Sequence, residues 1–131
     1  MYELKWMLLM QDEADGSVFN KVTTLQFPDM IMPADDRKER FLIGKTADCA
    51  YDFAATMALA ARVYKGNTDY PDFSDKALAA AKKAYDWAAS QRHYVMFQNP
   101  SDCNTGSYAS SEMKDEQFWA ASELLISTGD A

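Results

Sequence analysis

Residues 47–64 read ADCAYDFAATMALAARVY, and their composition decides the fold class. Alanines stand at 47, 50, 54, 55, 58, 60 and 61, with Phe53, Met57, Leu59 and Val63 among them. Asp48, Asp52 and Thr56 fall at i, i+4 and i+8, which on a 3.6-residue repeat is one narrow polar stripe. A helix apolar nearly all round is buried nearly all round. Its many small residues let neighbouring helices approach closely. Thr46 stands where an N-cap belongs, and Gly66 where a helix stops. The stretch predicts a central helix surrounded by others.

The flanking segments supply them. After "NTDYPDF", an amphipathic helix is expected over 74–90. Leu78, Ala81, Tyr85 and Ala88 face inward there, while Asp75, Lys76, Lys82, Lys83 and Asp86 face water. A third helix is expected over 112–127, with Phe118, Trp119, Leu124 and Leu125 as its apolar content and Gly129 as its stop. Residues 1–11 also read as helix, with Leu4, Met7, Leu8 and Gln11 on one side. That helix has no Ser, Thr, Asp or Asn before it, so the pattern opens partway along a helix. "SVFNKVTT" at 17–24 alternates Val18, Asn20, Val22 and Thr24 with Phe19, Lys21 and Thr23. With "FLI" at 41–43 it predicts a short β-hairpin. The fold class is therefore all-α, buried and half-exposed helices alternating along the chain. The loops at 25–40 and 91–111 are long, and loops of that length in a compact domain usually carry function.

Composition excludes several roles. The chain has 131 residues, the size of one domain, and 48% of them are hydrophobic. Thirteen basic against twenty acidic residues leave a net charge of -7, which disfavours nucleic acid and anionic membrane as partners. No apolar run reaches the roughly 20 residues of a membrane span. Glu3 and Lys5 interrupt the first apolar stretch, so no signal peptide is visible. Cys49 and Cys103 form no metal pattern and read as buried free thiols. His93 reads as a surface or loop residue. Asp35 and Asp36 belong to a solvated charge cluster, and Asp48 and Asp52 to a hydrogen-bonded polar stripe. No fixed-period repeat supports a solenoid interaction module.

Taken in order, "KWMLLMQ", "DGSVFNKVTT", "MPADDR", "DFAATMALAARVY", "FSDKALAAAKKAYDWA", "TGSY" and "DEQFWAASELLISTGD" resemble the middle of glycoside hydrolase family 9, the cellulases and endoglucanases. The resemblance covers nearly the whole chain. It implies a partial (α/α)6 barrel of about three and a half helices, with long loops and a short hairpin. The helix at 47–64 would be an inner one and that at 74–90 an outer one. It also implies that residues 1–131 are an internal segment of a catalytic domain, which accounts for the uncapped first helix. The implied activity is hydrolysis of β-1,4-glucosidic bonds with inversion, in a secreted protein acting on β-1,4-glucan. The family's base lies in an Asp-Ala-Gly-Asp motif upstream of this region and its acid is a Glu further on. Neither motif is present, so no residue here is expected to be catalytic and the segment alone is expected to be inactive.

The resemblance further implies a structural calcium bound through Ser111, the Glu112 backbone carbonyl, Asp115 and Glu116, with one more Asp from a later part of the domain. Calcium takes six to eight hard oxygen ligands, which suits these residue types. Acids in a first helical turn equally complement the helix dipole. For substrate, the resemblance points to Asn20, Lys21 and Tyr108. The family usually has His where Asn20 stands, and Asn can hydrogen-bond a sugar hydroxyl but cannot titrate. The family usually continues Gly-Asp after Tyr108, where this chain reads "AS"; core packing is the other reading of Tyr108. A non-catalytic carbohydrate-binding or helical interaction module is the alternative function. For the isolated segment the expectation is either self-association through exposed apolar helix faces, 47–64 above all, or a collapse that packs the helices differently under the Met- and aromatic-rich loops.

Overall fold

In the computed structural model, which describes residues 1–129, the central stretch forms a helix, α2 (Ala47–Val63), and eleven of its seventeen residues are buried. The remaining elements in chain order are α1 (Tyr2–Leu8), strands β1 (Phe19–Thr23) and β2 (Phe41–Lys45), α3 (Phe73–Ser90) and α4 (Lys114–Thr128). Both α3 and α4 pack on α2 and barely touch each other. The all-α expectation with one hairpin holds.

The α2–α3 contact follows from residue size. Phe73, Ala77, Ala81, Ala84 and Ala88 are the buried residues of α3, at steps of three and four along one face. They meet the alanines of α2, and small side chains on both partners bring the backbones close. Leu78 and Tyr85 lie half-buried at the margin, so the inward stripe is centred on alanines rather than on the larger residues. Tyr51 meets Tyr85 edge to face at 5.3 Å between centroids. At the other end Arg62 anchors α4. Its guanidinium donates to the Glu123 carbonyl at 3.0 Å and to Ser127 Oγ at 2.7 Å, and pairs with the Glu123 carboxylate.

The hairpin is antiparallel, with Lys21 opposite Ile43 and Thr23 opposite Phe41. Successive side chains of a strand point to opposite faces. Val22 accordingly packs on the main core, while Lys21 and Thr23 point to the 97–106 loop. There a second, small core forms from Ile43, Phe97 and Cys103. Gly44, at φ +71°, is where the Phe97 ring presses on β2, and the ring occupies the space a Cβ would need.

Several expectations are corrected. The first helix ends at Leu8, because Gln11 is drawn into a bridge opposite Val18 and its amide donates to the carbonyls of Gly16 and Ala80. Thr46 precedes α2 but makes no side-chain cap; its hydroxyl donates to Asn20 Oδ1 at 2.7 Å. The last helix starts at Lys114, since Ser110 Oγ donates to the Glu112 carbonyl at 2.6 Å and turns the chain there. Cys49 is only half-buried. Most of α2 is covered by α3 and α4, and its exposed apolar surface is limited to Leu59 and Val63. More lies on α4, where Phe118 is 75% exposed, at Tyr2 of α1 and Leu9 just after it, and on the loop carrying Phe27, Met30 and Met32.

Candidate functional site

Where β1, the first turns of α2 and the loop before α4 meet, Asn20, Asp48, Asp52, Tyr108, Ser110 and Glu116 line an open cavity of about 400 Å³. Each arrives by a simple rule. Asn20 is on the face of β1 that looks at α2, opposite to Lys21. Asp48 and Asp52 are one helical turn apart, so the same α2 face presents both. Glu116 projects from the first turn of α4.

The cavity wall is acidic, with Asp48 buried, Glu116 half-buried and Asp52 on the exposed side. Asp48 is 5% exposed; Tyr94 donates to its Oδ2 at 3.1 Å, and its Oδ1 has no partner among the described residues. The same Tyr94 hydroxyl lies 2.7 Å from the Ser110 carbonyl, sharing its one proton between the two acceptors. Desolvation, with the nearby Asp48 and Asp115 carboxylates, pushes Asp52 up to about 6. Glu116 is also raised, chiefly by burial, and hydrogen-bonds to the Asp115 carboxylate, which is lowered by that bond. Burial and the two aspartates push the Cys49 thiol up to about 12, so it is no nucleophile at neutral pH.

Tyr108 stands at the rim. Its ring is 82% exposed and its backbone is at φ +55°, unusual for a bulky residue. Gly106 lies beneath the ring, and a Cβ there would come within 2.8 Å of it. Such exposure overturns the core-packing reading of Tyr108. Lys21 faces away from the cavity. Its ammonium donates to Asn99 Oδ1 at 2.7 Å, Thr105 Oγ1 at 3.0 Å and the Gly106 carbonyl at 2.6 Å, which occupies its three donors. Asn20 and Tyr108 are thus brought together and Lys21 is not.

The donors expected for calcium are hard oxygens. Glu116 Oε2 is buried without a partner among the described residues, beside the Asp115 carboxylate, which fits a hard cation in kind. The number falls short: the Glu112 carbonyl accepts from Ser110, Ser111 is exposed, and no three His, Cys, Asp or Glu side chains among the described residues converge as a metal group. Sequence reading missed Tyr94, which no motif marked, and treated Asp48 and Asp52 as a stripe alone. Their place beside the predicted strand's Asn20 depends on tertiary packing.

Glycosyl hydrolase family 9 matches residues 1–131. A xyloglucan-specific endo-beta-1,4-glucanase of Bacteroides ovatus is 42% identical over 98% of this chain and 23% of its own length. A cellodextrinase of Butyrivibrio fibrisolvens is 39% identical, again over 98% of this chain and 23% of its own. The solved structure of AaCel9A in complex with cellobiose-like isofagomine superposes with a TM-score of 0.92 at 39% identity, covering 98% of this chain and 24% of that one. The chain thus spans about a quarter of the length of the relatives it matches. Its helices and hairpin follow these neighbours throughout, which bears out the partial (α/α)6 barrel. With the match running over every residue, the chain belongs to glycosyl hydrolase family 9.

Proposed function

We propose that the chain is an internal segment of a family 9 catalytic domain that hydrolyses β-1,4-glucosidic bonds in cellulose or a related β-glucan. The observation that carries this reading is the shared cavity of Asn20 and Tyr108, the positions the family resemblance links to substrate. The Tyr108 ring offers a flat face of the kind that packs on the apolar face of a sugar. Asn20 Oδ1 is engaged by Thr46, which turns the amide N–H donors toward a ligand hydroxyl. Lys21 supports the site indirectly by tying the 99–106 loop to β1.

Inverting hydrolysis needs an acid and a base carboxyl roughly 6.5–9.5 Å apart, with a water between base and sugar. The sequence has no Asp-Ala-Gly-Asp motif, so in this reading both groups come from elsewhere in the domain. Asp48, Asp52 and Glu116 form a polar wall rather than the reacting pair. Asp115, Glu116 and Ser111 would hold calcium together with oxygens from outside this chain. When bound, the ion would neutralise the clustered carboxylates and brace the start of α4. Secretion follows from the same resemblance; among the described residues no helix is long and apolar enough to cross a membrane. Cut from such a domain, the chain would self-associate through the exposed residues of α4.

Assays of the complete domain and of this chain on soluble cellulose derivatives and cello-oligosaccharides test the reading. Turnover by the complete domain with inverted product, and none by the chain alone, is expected. Turnover by the chain alone that an Asp or Glu substitution abolishes would overturn it. For calcium, titration calorimetry of the complete domain should lose binding in Asp115→Ala; binding unchanged by that substitution places the ion elsewhere.

A further inference from the structure

We infer that Tyr94 is a positioning residue for the sugar-contacting rim: its hydroxyl ties the loop presenting Tyr108 to the first turn of α2. This rests on the glucan reading above and extends it to a residue that touches no substrate.

Tyr108 has little to hold it in place. Its ring is exposed, and its backbone sits in a sparsely populated region that persists only where the surroundings enforce it. The anchor lies two residues on. The Tyr94 hydroxyl donates to the Ser110 carbonyl at 2.7 Å and reaches Asp48 Oδ2 at 3.1 Å. Asp48 belongs to the most buried helix of the molecule, so the tie refers the loop to the rigid part of the fold. Ser110 then passes the constraint forward, its Oγ donating to the Glu112 carbonyl at 2.6 Å. Between Tyr94 and Ser110 the only buried side chains are Phe97, Cys103 and Thr105, and all three precede Tyr108. Without the Tyr94 hydroxyl, the Ser110 carbonyl and the Asp48 carboxylate would each lose a donor in a partly buried place. Burial and the Asp48 charge push the Tyr94 phenol up to about 12, so it remains a donor across the neutral range.

The test is Tyr94→Phe in the complete domain, which keeps the ring and removes the donor. Expected is a rise of about tenfold in KM for cello-oligosaccharides with kcat changed less than about twofold, the size of one misplaced contact. Amide exchange over 107–111 should quicken, while α2 and the thermal midpoint stay near wild type. In a Tyr108→Ala background, Tyr94→Phe should add little to KM, since the two act as one unit. An active domain whose KM does not respond, or a Tyr94→Phe effect that is undiminished in the Tyr108→Ala background, would overturn the inference. Should Tyr94→Phe lower the thermal midpoint, Asp48→Ala removes the acceptor at the α2 end of the tie while leaving Tyr94 in place, and an unchanged KM there also overturns it. A wild-type domain that turns over no β-1,4-glucan overturns the proposed function first, and this inference with it.

Discussion

Helix α2 and the loop from Gln91 to Met113 build opposite walls of one cavity by different means. The helix is held by area. Eleven of its seventeen residues are buried, most of them alanines that fit against two neighbouring helices. The loop is held by points: three donors on Lys21, one hydroxyl on Tyr94 and a small core at Phe97 and Cys103. Packing over area is cooperative and resists displacement. Point contacts fix position yet leave most of the backbone free to open. The rigid wall therefore sets the frame, and the tied wall carries the exposed aromatic group.

The largest break in this comparison should come from the packed side. Met57 is fully buried within α2, and Met57→Ala is expected to cost about 2–5 kcal/mol through lost burial and the cavity left behind. Urea denaturation measures it, and a cost under about 1 kcal/mol would mean that α2 is not held by packing.

A smaller and more local effect is expected from the tied side. Lys21→Met removes the ammonium and leaves Asn99 Oδ1 and the Gly106 carbonyl without that donor, while Thr105 Oγ1 keeps the one from Thr23, at a cost of about 1–3 kcal/mol. Hydrogen exchange should speed over 99–106 and stay unchanged in α2. Equal acceleration in both regions would show that the loop and the helix open as one unit.

The smallest effect lies where the two walls face each other. Asp52 is raised from 3.8 to about 6. Between those values the folded protein keeps a proton that the unfolded chain has released. Stability therefore falls as pH rises through that window, and the penalty is complete above it. In buffer with a calcium chelator, Asp52→Asn should be more stable than wild type near neutral pH, with the difference closing below the window. A difference independent of pH would show that water, not the opposing loop, surrounds this carboxylate.

The helical frame was legible because its signals are local. The alanine-rich stretch announced a buried helix, the lysines of 74–90 announced an outer one, and the alternation at 17–24 announced a strand with Asn20 and Lys21 on opposite faces. The ordered motifs resemble one family along nearly the whole chain. Boundaries were less legible, since competing partners set them. Thr46 gave its hydroxyl to Asn20 instead of to its own helix, and Ser110 closed a turn that delayed α4 to Lys114. How much of α2 stays exposed was hard to read for a related reason. Composition shows how apolar α2 is, but only packing shows that α3 and α4 cover most of it and leave Leu59 and Val63 exposed.

The sequence by itself determined the helix count, the hairpin, the family and the residue types available for sugar contact. The helices and the hairpin rest on periodicity and spacing, which the chain carries in linear order, while the family and the residues linked to sugar rest on the resemblance of ordered motifs. Tertiary structure alone decided that Asn20, Asp48, Asp52 and Tyr108 share one cavity, that Lys21 spends its donors inside the protein, and that Tyr94 joins the two walls. Contacts between segments far apart in the chain have no local pattern, because each depends on where a packed helix or a loop finally brings its partner.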